Sequence, residues 1–239
     1  AFAGAVMPEL KFIVGLFDWV DRIQSYHNEE SRWEYMTELK RFVDEGAKDD
    51  SQFIDVVSSV MTRGCDEDQC SKRTIHFFEE RRRNFEALVH DVFNLRGRPE
   101  GYQRPLPQLK YDFEHAMRWL HSKRTKIEGN VFASRNDALG GVPYFSQEYK
   151  YEPFLSALRT ISHLGVGTQQ KMFFLSDEKE GLRGFNAGLT NLAFFLANAM
   201  AESIKYDSCD EVHRDEEDGL YAIANSCGQN GRNYGGETW

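Results

Sequence analysis

Apolar side chains recur at intervals of three and four residues along much of this chain, and that spacing restricts it to a mainly helical fold. An α-helix turns once every 3.6 residues, so such positions line one face that a core can cover. The first such stripe, after Pro8, is Leu10, Ile13, Val14, Phe17 and Val20. Ser51 and Gly64 bracket another stripe as an N-cap and a C-terminal stop. The predicted fold class is therefore all-α.

The longest helix is predicted between about Ser71 and Leu95. Its apolar seam is interrupted by Arg82, at a position where an apolar residue is expected. This interruption favours packing within a bundle over a free coiled-coil dimer. The basic run 81–83 follows the acidic pair 79–80, and mixed charge of this kind is typical of a solvated helix face.

Changes in composition divide the chain into regions. Residues 1–126 are predicted to form a helical bundle region, and residues 127–143, rich in Gly, Asn and Ser, a linker. Residues 144–239 are predicted to form a second helical region. In it, Thr190 is expected to cap an apolar helix that runs to about Ile204. The last thirty residues are rich in Asp, Glu, Gly and Asn and are predicted to be loop.

Charge and motif content exclude several classes of function. The net charge of −9 argues against a nucleic-acid partner, because phosphate binding needs clustered Lys and Arg. No apolar run approaches the roughly 18 residues that a membrane span requires. The seven histidines form no His-Glu-x-x-His pair, and no glycine-rich nucleotide loop occurs. We therefore predict no metal site and no cofactor.

Four cysteines fall into two local pairs, Cys65 with Cys70 and Cys209 with Cys227. Two disulfides formed in an oxidising compartment are the preferred interpretation. Zinc ligation is the weaker alternative, because neither pair has the two-residue gap typical of such sites. The chain begins at Ala1 without a Met, which fits a processed N-terminus. The expected location is outside the cell or in an organelle lumen.

The apolar segment that ends at Glu202 is the stretch that points to enzyme chemistry. Phe195, either Asn198 or Ala199, and Glu202 fall on one face of the predicted helix. A carboxyl at the end of an apolar stripe loses hydration, and near a helix C-terminus it also meets the negative end of the dipole. Both effects favour the protonated carboxyl that a general acid needs.

Two more carboxyl groups follow Glu202 by eight and nine residues, on Asp210 and Glu211. They adjoin Cys209, so a disulfide there would fix the loop that carries them. Inverting glycoside hydrolysis requires two carboxyl groups across a gap of roughly 6.5–9.5 Å. One of them protonates the leaving oxygen while the other activates water. The spacing is compatible with that reaction.

These segments resemble the start of a family 19 glycoside hydrolase, the chitinases and related phage-type endolysins of the lysozyme superfamily. The resemblance covers about residues 144–215 and is carried by Phe154-Leu-Ser-Ala-Leu158, Leu189 to Glu202, Tyr206 and Asp210-Glu211. It implies a lysozyme-like helical region with Glu202 as general acid and Glu211, or less favourably Asp210, as general base. Asn198 and Tyr206 would contact substrate. The implied activity is inverting hydrolysis of β-1,4-linked N-acetylglucosamine polymers, with a chitin-like polysaccharide as partner.

The chain also departs from that family's pattern. Ala201 stands where the family has a His before the glutamate, and Ser203-Ile204 replace a small turn that usually contains Gly. The family's downstream cleft segment has only a faint echo at Gly231–Tyr234. The alternative is therefore a non-catalytic secreted or lumenal subunit, a pseudoenzyme that docks onto a protein partner through its helical surfaces.

Overall fold

A computed structural model describes residues 7–46, 51–64, 66, 78–95, 110–135, 143–165, 170–204, 212–215 and 219–222. These residues are mainly α-helical, which confirms the predicted fold class. The helices are α1 (Leu10–Asp18), α2 (Tyr35–Asp44), α3 (Ser51–Arg63), α4 (Phe78–Ala87), α5 (Phe113–Ser122), α6 (Arg124–Asn130), α7 (Tyr151–His163) and α8 (Leu182–Glu202). Wider π-helical turns extend α1 over Trp19–Gln24 and α4 over Leu88–Val92, and a 3₁₀ turn, Glu178–Glu180, precedes α8.

Short antiparallel hairpins, which the apolar spacing did not predict, join some of these helices. They pair β1 (His27–Asn28) with β2 (Trp33–Glu34), β3 (Ala133–Arg135) with β4 (Pro143–Phe145), and β5 (Val212–Asp215) with β6 (Gly219–Ala222). In the register, Asn28 lies opposite Trp33 and Ser134 opposite Tyr144. The β5–β6 pair lies in the stretch that was predicted to be loop, so that prediction was wrong for these residues.

Helix α8 is the central element of the described fold, and most of its length is buried. It begins at Leu182, eight residues before the predicted cap at Thr190, which is itself fully buried in the helix interior. Glycines in the first two turns read as helix breakers but serve close packing. A Cβ on Gly188 would lie 1.7 Å from the carbonyl oxygen of Leu175. The segment before the helix therefore lies directly on its backbone.

The basic run 81–83 lies in helix α4, and its burial differs from the prediction. Arg81 is only 1% exposed, so the prediction of a solvated face was wrong for this residue, whereas Arg83 is exposed. The Nε of Arg82 donates to Asp55 of α3 over 2.7 Å. Arg82 therefore lies at a helix–helix contact, as the bundle interpretation expected. The predicted residues 71–77 of this helix lie outside the described residues.

Residues from both predicted regions share one apolar core. The ring of Phe12 in α1 contacts those of Phe132 and Phe154, at centroid distances of 5.9 and 5.6 Å. Ile127 and Val131, at the start of the predicted linker, are also buried in this cluster. Burial of so many apolar side chains is the main force that holds helices together. Helix α8 packs mainly against α2, α3 and α4, while α1 packs against α7.

Candidate functional site

Glu202 is the last residue of α8 and stands where the buried helix reaches the surface. The backbone N–H of Ser203 closes the final turn by donating to Ala199 over 3.0 Å. The Glu202 side chain is 31% exposed. Its neighbours Ala201 and Ile204 are buried. The Glu202 side chain is therefore partly open to solvent, while its neighbours are anchored in the core.

The buried partner of Glu202 is Arg81 of α4. Arg81 Nη2 forms an ion pair with Glu202 Oε1, and Arg81 Nη1 donates to Asn198 Oδ1 over 2.6 Å. The Nδ2 of Asn198 donates in turn to the carbonyl oxygen of Phe194 over 2.8 Å. Arg81, Asn198 and Glu202 are called the Arg81 cluster below. Through it the Glu202 carboxyl group is linked to residues 198 and 194, one and two turns earlier in α8.

The register between α4 and α8 brings the three residues together. The rings of Phe85 and Phe194 stack with centroids 4.0 Å apart and an interplanar angle of 16°. Arg81 lies one turn before Phe85, and Asn198 lies one turn after Phe194, so antiparallel packing places them side by side. The Nδ2 of Asn84 adds a hydrogen bond of 3.4 Å to the carbonyl oxygen of Ala197. Apolar stacking thus fixes where the charges meet.

The electrostatics of the cluster differ from those expected of a general acid. Burial lowers the pKa of Arg81 to about 10, against an opposing contribution from the neighbouring Glu80, so the guanidinium remains charged at neutral pH. A cation against a carboxyl group favours the ionised form of that group. The protonated Glu202 expected from helix position and burial is therefore opposed by Arg81, which the sequence reasoning did not include.

The guanidinium is also incompletely hydrogen-bonded among the described residues. Its Nε is buried without a hydrogen-bond partner there. Buried polar groups are normally paired, and an unpaired one in a charged group is costly. The ion pair with Glu202 is accordingly a direct contact that compensates the buried charge of Arg81, in addition to the nearby charge of Glu80.

The remaining predicted site residues have different outcomes. Asn198 is 2% exposed, and its amide group bonds within the protein rather than facing solvent. The other predicted carboxylates, the substrate contact and the disulfide cysteines lie outside the described residues: Tyr206, Asp210, Glu211, Cys65, Cys70, Cys209 and Cys227. Of the predicted site, the structure brings together Asn198 and Glu202.

Sequence reasoning missed Arg81. A usable signal was the buried seam itself, because Phe85, Leu88 and Val92 are buried and four residues before Phe85 is position 81. Reading the seam through Arg82 placed the interruption one residue too late. Positions 81 to 83 are all arginine, so the residue types alone do not show which of the three is buried.

A second polar cluster lies nearer the N-terminus of α8, around Asn191. The Oδ1 of Asn191 accepts from Trp19 Nε1 at 2.9 Å and from the Tyr35 hydroxyl at 2.7 Å. Its Nδ2 donates to the carbonyl oxygen of Phe174 and to Gln24 Oε1, over 2.8 and 3.2 Å. Burial raises the pKa of the Tyr35 hydroxyl well above its ordinary value, so this Asn191 cluster is neutral at physiological pH.

The described residues form neither a metal-ion cluster nor a membrane span. Among them, no group of three His, Cys, Asp or Glu side chains is placed to hold a metal ion. None of the helices in the described ranges is long and apolar enough to cross a bilayer. A shallow hollow on the outer face of α4 is lined by Arg83, Glu86, Ala87, His90 and Asp91. Its lining comes from one continuous helical stretch, so it does not enclose a ligand.

In comparisons with known proteins, no family model, no curated protein and no solved structure matches the chain. The resemblance to glycoside hydrolases therefore rests on the sequence around Glu202. The geometric basis for assigning a function is the Arg81 cluster.

Proposed function

We propose that the chain is a glycan-directed protein that hydrolyses β-1,4-linked N-acetylglucosamine polymers with inversion, using Glu202 as one of two carboxyl groups. The observation that carries this proposal is the fixed and partly exposed carboxyl of Glu202. It leaves the core at the end of a long buried helix and is held there by the buried Arg81.

Orientation is what such a reaction demands of a carboxyl group. A catalytic group held within a fraction of an ångström of its productive position avoids the entropy of searching for it. Arg81 Nη2 restricts the Glu202 side chain from the protein side, and Asn198 fixes the guanidinium by accepting from Nη1. The exposed 31% of that side chain leaves a face for water or sugar.

The second carboxyl group is proposed from the sequence. Glu211 is the first choice and Asp210 the second, in a loop that the proposed Cys209–Cys227 disulfide would hold. Tyr206 is proposed as a sugar contact. The reaction needs carboxyl groups and water alone, so no cofactor is proposed. A chitin-like polysaccharide is the proposed partner, met outside the cell or in an organelle lumen.

Hydrolysis of chitin oligosaccharides by the wild-type chain and by Glu202→Gln tests the proposal. We expect the amide variant to lose about a hundredfold or more in kcat, because it can neither donate nor accept the proton. The first product should be the α-anomer when scored by proton NMR. Glu178→Gln is the matched control, since it removes an exposed carboxylate near the opposite end of α8. Equal turnover by a folded Glu202→Gln protein would contradict the proposal.

A non-catalytic helical subunit is the second candidate, and two observations favour it. The Glu202 carboxylate already compensates the buried charge of Arg81, which is a sufficient structural reason for its presence. The buried Ala201 also stands where the resembled family has a His. On this proposal the wild-type chain neither cleaves nor binds chitin oligosaccharides, and Glu202→Gln changes only the free energy of unfolding.

A further inference from the structure

We infer that Arg81 is a positioning residue that keeps Glu202 ionised, so that Glu202 serves as the general base of the proposed hydrolysis rather than as its acid. This inference rests on the proposed function and changes one role within it. The family resemblance implies the acid role for this glutamate. The contacts of the described residues favour the opposite assignment.

The first step of the argument is the burial of the guanidinium. Arg81 is 1% exposed, and its other described hydrogen bond goes to the neutral amide of Asn198. Protonation of Glu202 would remove the anion that contacts the guanidinium and leave the charge of Glu80 to oppose the burial of the cation. An uncompensated buried charge is among the most costly arrangements in a folded protein. The fold therefore stabilises the carboxylate form.

The second step concerns the other charges around the pair. On α4, Glu80 lies beside the guanidinium and reinforces its charge, while Glu79 is largely exposed and pairs with Arg82. On α3, Asp55 is engaged by Arg82. On α8, the charged residue other than Glu202 is Arg183 at the opposite end of the helix. Glu202 is thus an anion in direct contact with Arg81, at the end of α8 that Arg183 does not reach.

The chemical step then follows with its atoms balanced. The Glu202 carboxylate takes a proton from a water molecule as the water oxygen forms a bond to the anomeric carbon. The bond from that carbon to the glycosidic oxygen breaks, and its electron pair stays on the oxygen. The second carboxyl group of the proposed mechanism protonates this leaving oxygen. The two carboxyl groups recover their starting protonation through solvent.

Leaving-group dependence distinguishes a base from an acid. Dinitrophenolate leaves an activated glycoside without being protonated. Removing the general acid therefore spares hydrolysis of that substrate, whereas removing the general base does not. We expect Glu202→Ala to lose activity on both chitin oligosaccharides and a dinitrophenyl chitobioside. Azide should restore cleavage of the activated substrate and yield the α-glycosyl azide. Retained cleavage of the dinitrophenyl substrate without azide would overturn the inference.

A second variant guards against loss of folding. Glu202→Ala alone leaves the guanidinium buried without its anion, so the same assays are run on Arg81→Met/Glu202→Ala, in which both charges are gone. Replacement of a buried pair by apolar groups is often tolerated. The double variant should show the same azide-dependent cleavage. Cleavage of the activated substrate by this variant without azide would assign Glu202 to the acid role.

The positioning role of Arg81 has its own readout. In Arg81→Met, the acidic limb of the kcat/KM profile should move to higher pH, because the carboxylate loses the cation that favours it. Arg82→Met is the matched control, since it removes a guanidinium–carboxylate pair one residue away on the same helix. Its acidic limb should stay in place. An unmoved limb in Arg81→Met would contradict the inference.

Carbon-13 NMR titration of the Glu202 carboxyl separates this inference from the proposed function. It requires no turnover, and Glu202→Gln assigns the resonance. Wild-type Glu202 should titrate at lower pH than Glu202 in Arg81→Met. If the wild-type chain cleaves no glycan, the proposed function fails, and the titration still decides whether Arg81 holds the carboxylate. Identical titrations in the two proteins would overturn that part as well.

Discussion

Two polar clusters lie along helix α8, and they provide partners for buried polar side chains in different ways. The Asn191 cluster is neutral, and both atoms of its central amide bond within the core, to partners that include Trp19 and Tyr35. The Arg81 cluster carries full charges and ends in a carboxyl group that is 31% exposed. An asparagine of α8 anchors each cluster.

The difference separates a structural arrangement from one that is suited to chemistry. Asn191 accepts two hydrogen bonds and donates two, so its cluster is closed. The Arg81 cluster leaves a buried Nε without a hydrogen-bond partner among the described residues. Closed polar networks mainly specify a unique core, whereas charges held in an unusual environment are enriched at functional sites.

Among the variants that test the contrast between the two clusters, Gly188→Ala should have the largest effect on stability. The new Cβ would fall 1.7 Å from the Leu175 carbonyl oxygen, which belongs to the backbone and cannot swing aside. The segment that carries Phe174 would be pushed off α8, opening the Asn191 cluster. We expect a loss of about 4 kcal/mol in unfolding free energy, from overpacking and lost hydrogen bonds together. Urea denaturation measures it, and a loss below about 1 kcal/mol would contradict this description of the packing.

Unequal effects of the two charge removals would sharpen the comparison. Glu202→Gln leaves the buried guanidinium uncompensated and should cost about 3 kcal/mol. Arg81→Met leaves a carboxylate that water can reach on its exposed face, so about 1.5 kcal/mol is expected. Urea denaturation of both variants and of the double variant gives the coupling between them. Equal losses for the two single variants would show that burial of Arg81 does not dominate the pair.

Tyr35→Phe tests the neutral cluster with a smaller change. It removes one hydroxyl donor while Asn191 Oδ1 still accepts from Trp19, so about 1 kcal/mol should be lost. Burial raises the pKa of Tyr35 in the folded state, so the unfolded chain loses this proton first as pH rises. Wild-type stability should therefore fall as pH rises above about 10, the ordinary tyrosine value. A wild-type chain no more alkali-sensitive than Tyr35→Phe would refute this account.

Arg82→Met should have the smallest effect. The pair with Asp55 is partly exposed, at 27% and 20% of the two side chains, and is screened by water. A loss of about 0.5 kcal/mol is expected, and the difference from wild type should shrink in high salt. Thermal unfolding at low and high ionic strength measures both. A cost equal to that of Arg81→Met would remove the distinction between the two arginines.

Much of the fold could be predicted from apolar spacing because most helices present a single buried face. The helix predicted between Ser51 and Gly64 is α3, Ser51–Arg63, and Gly64 has the positive φ of 72° that favours glycine at a helix end. Helix α8 was predicted too short because its start was placed at Thr190, and the stretch left out contains Gly184 and Gly188. Their small size is used for close backbone packing, which depends on a segment that sequence spacing cannot place.

The candidate site was predictable only in part. Glu202 and Asn198 were found because helical spacing relates positions four residues apart. Arg81 was missed because its partner lies 121 residues away in the sequence (202 − 81), where no local pattern connects them. Its positive charge opposes the electrostatic expectation for Glu202, which considered only burial and the helix dipole. Local reasoning can thus identify a carboxyl group but cannot assign its protonation without the residue opposite.

The pairing of a buried arginine with a half-open glutamate also constrains how the two positions can diverge among descendants of this chain. Losing the glutamate first strands a cation in the core, while losing the arginine first leaves an anion that water can still solvate. Substitutions should therefore occur in one order, with Arg81 replaced before Glu202. Lineages that keep arginine at position 81 are expected to keep an acidic residue at position 202, so the two positions should covary.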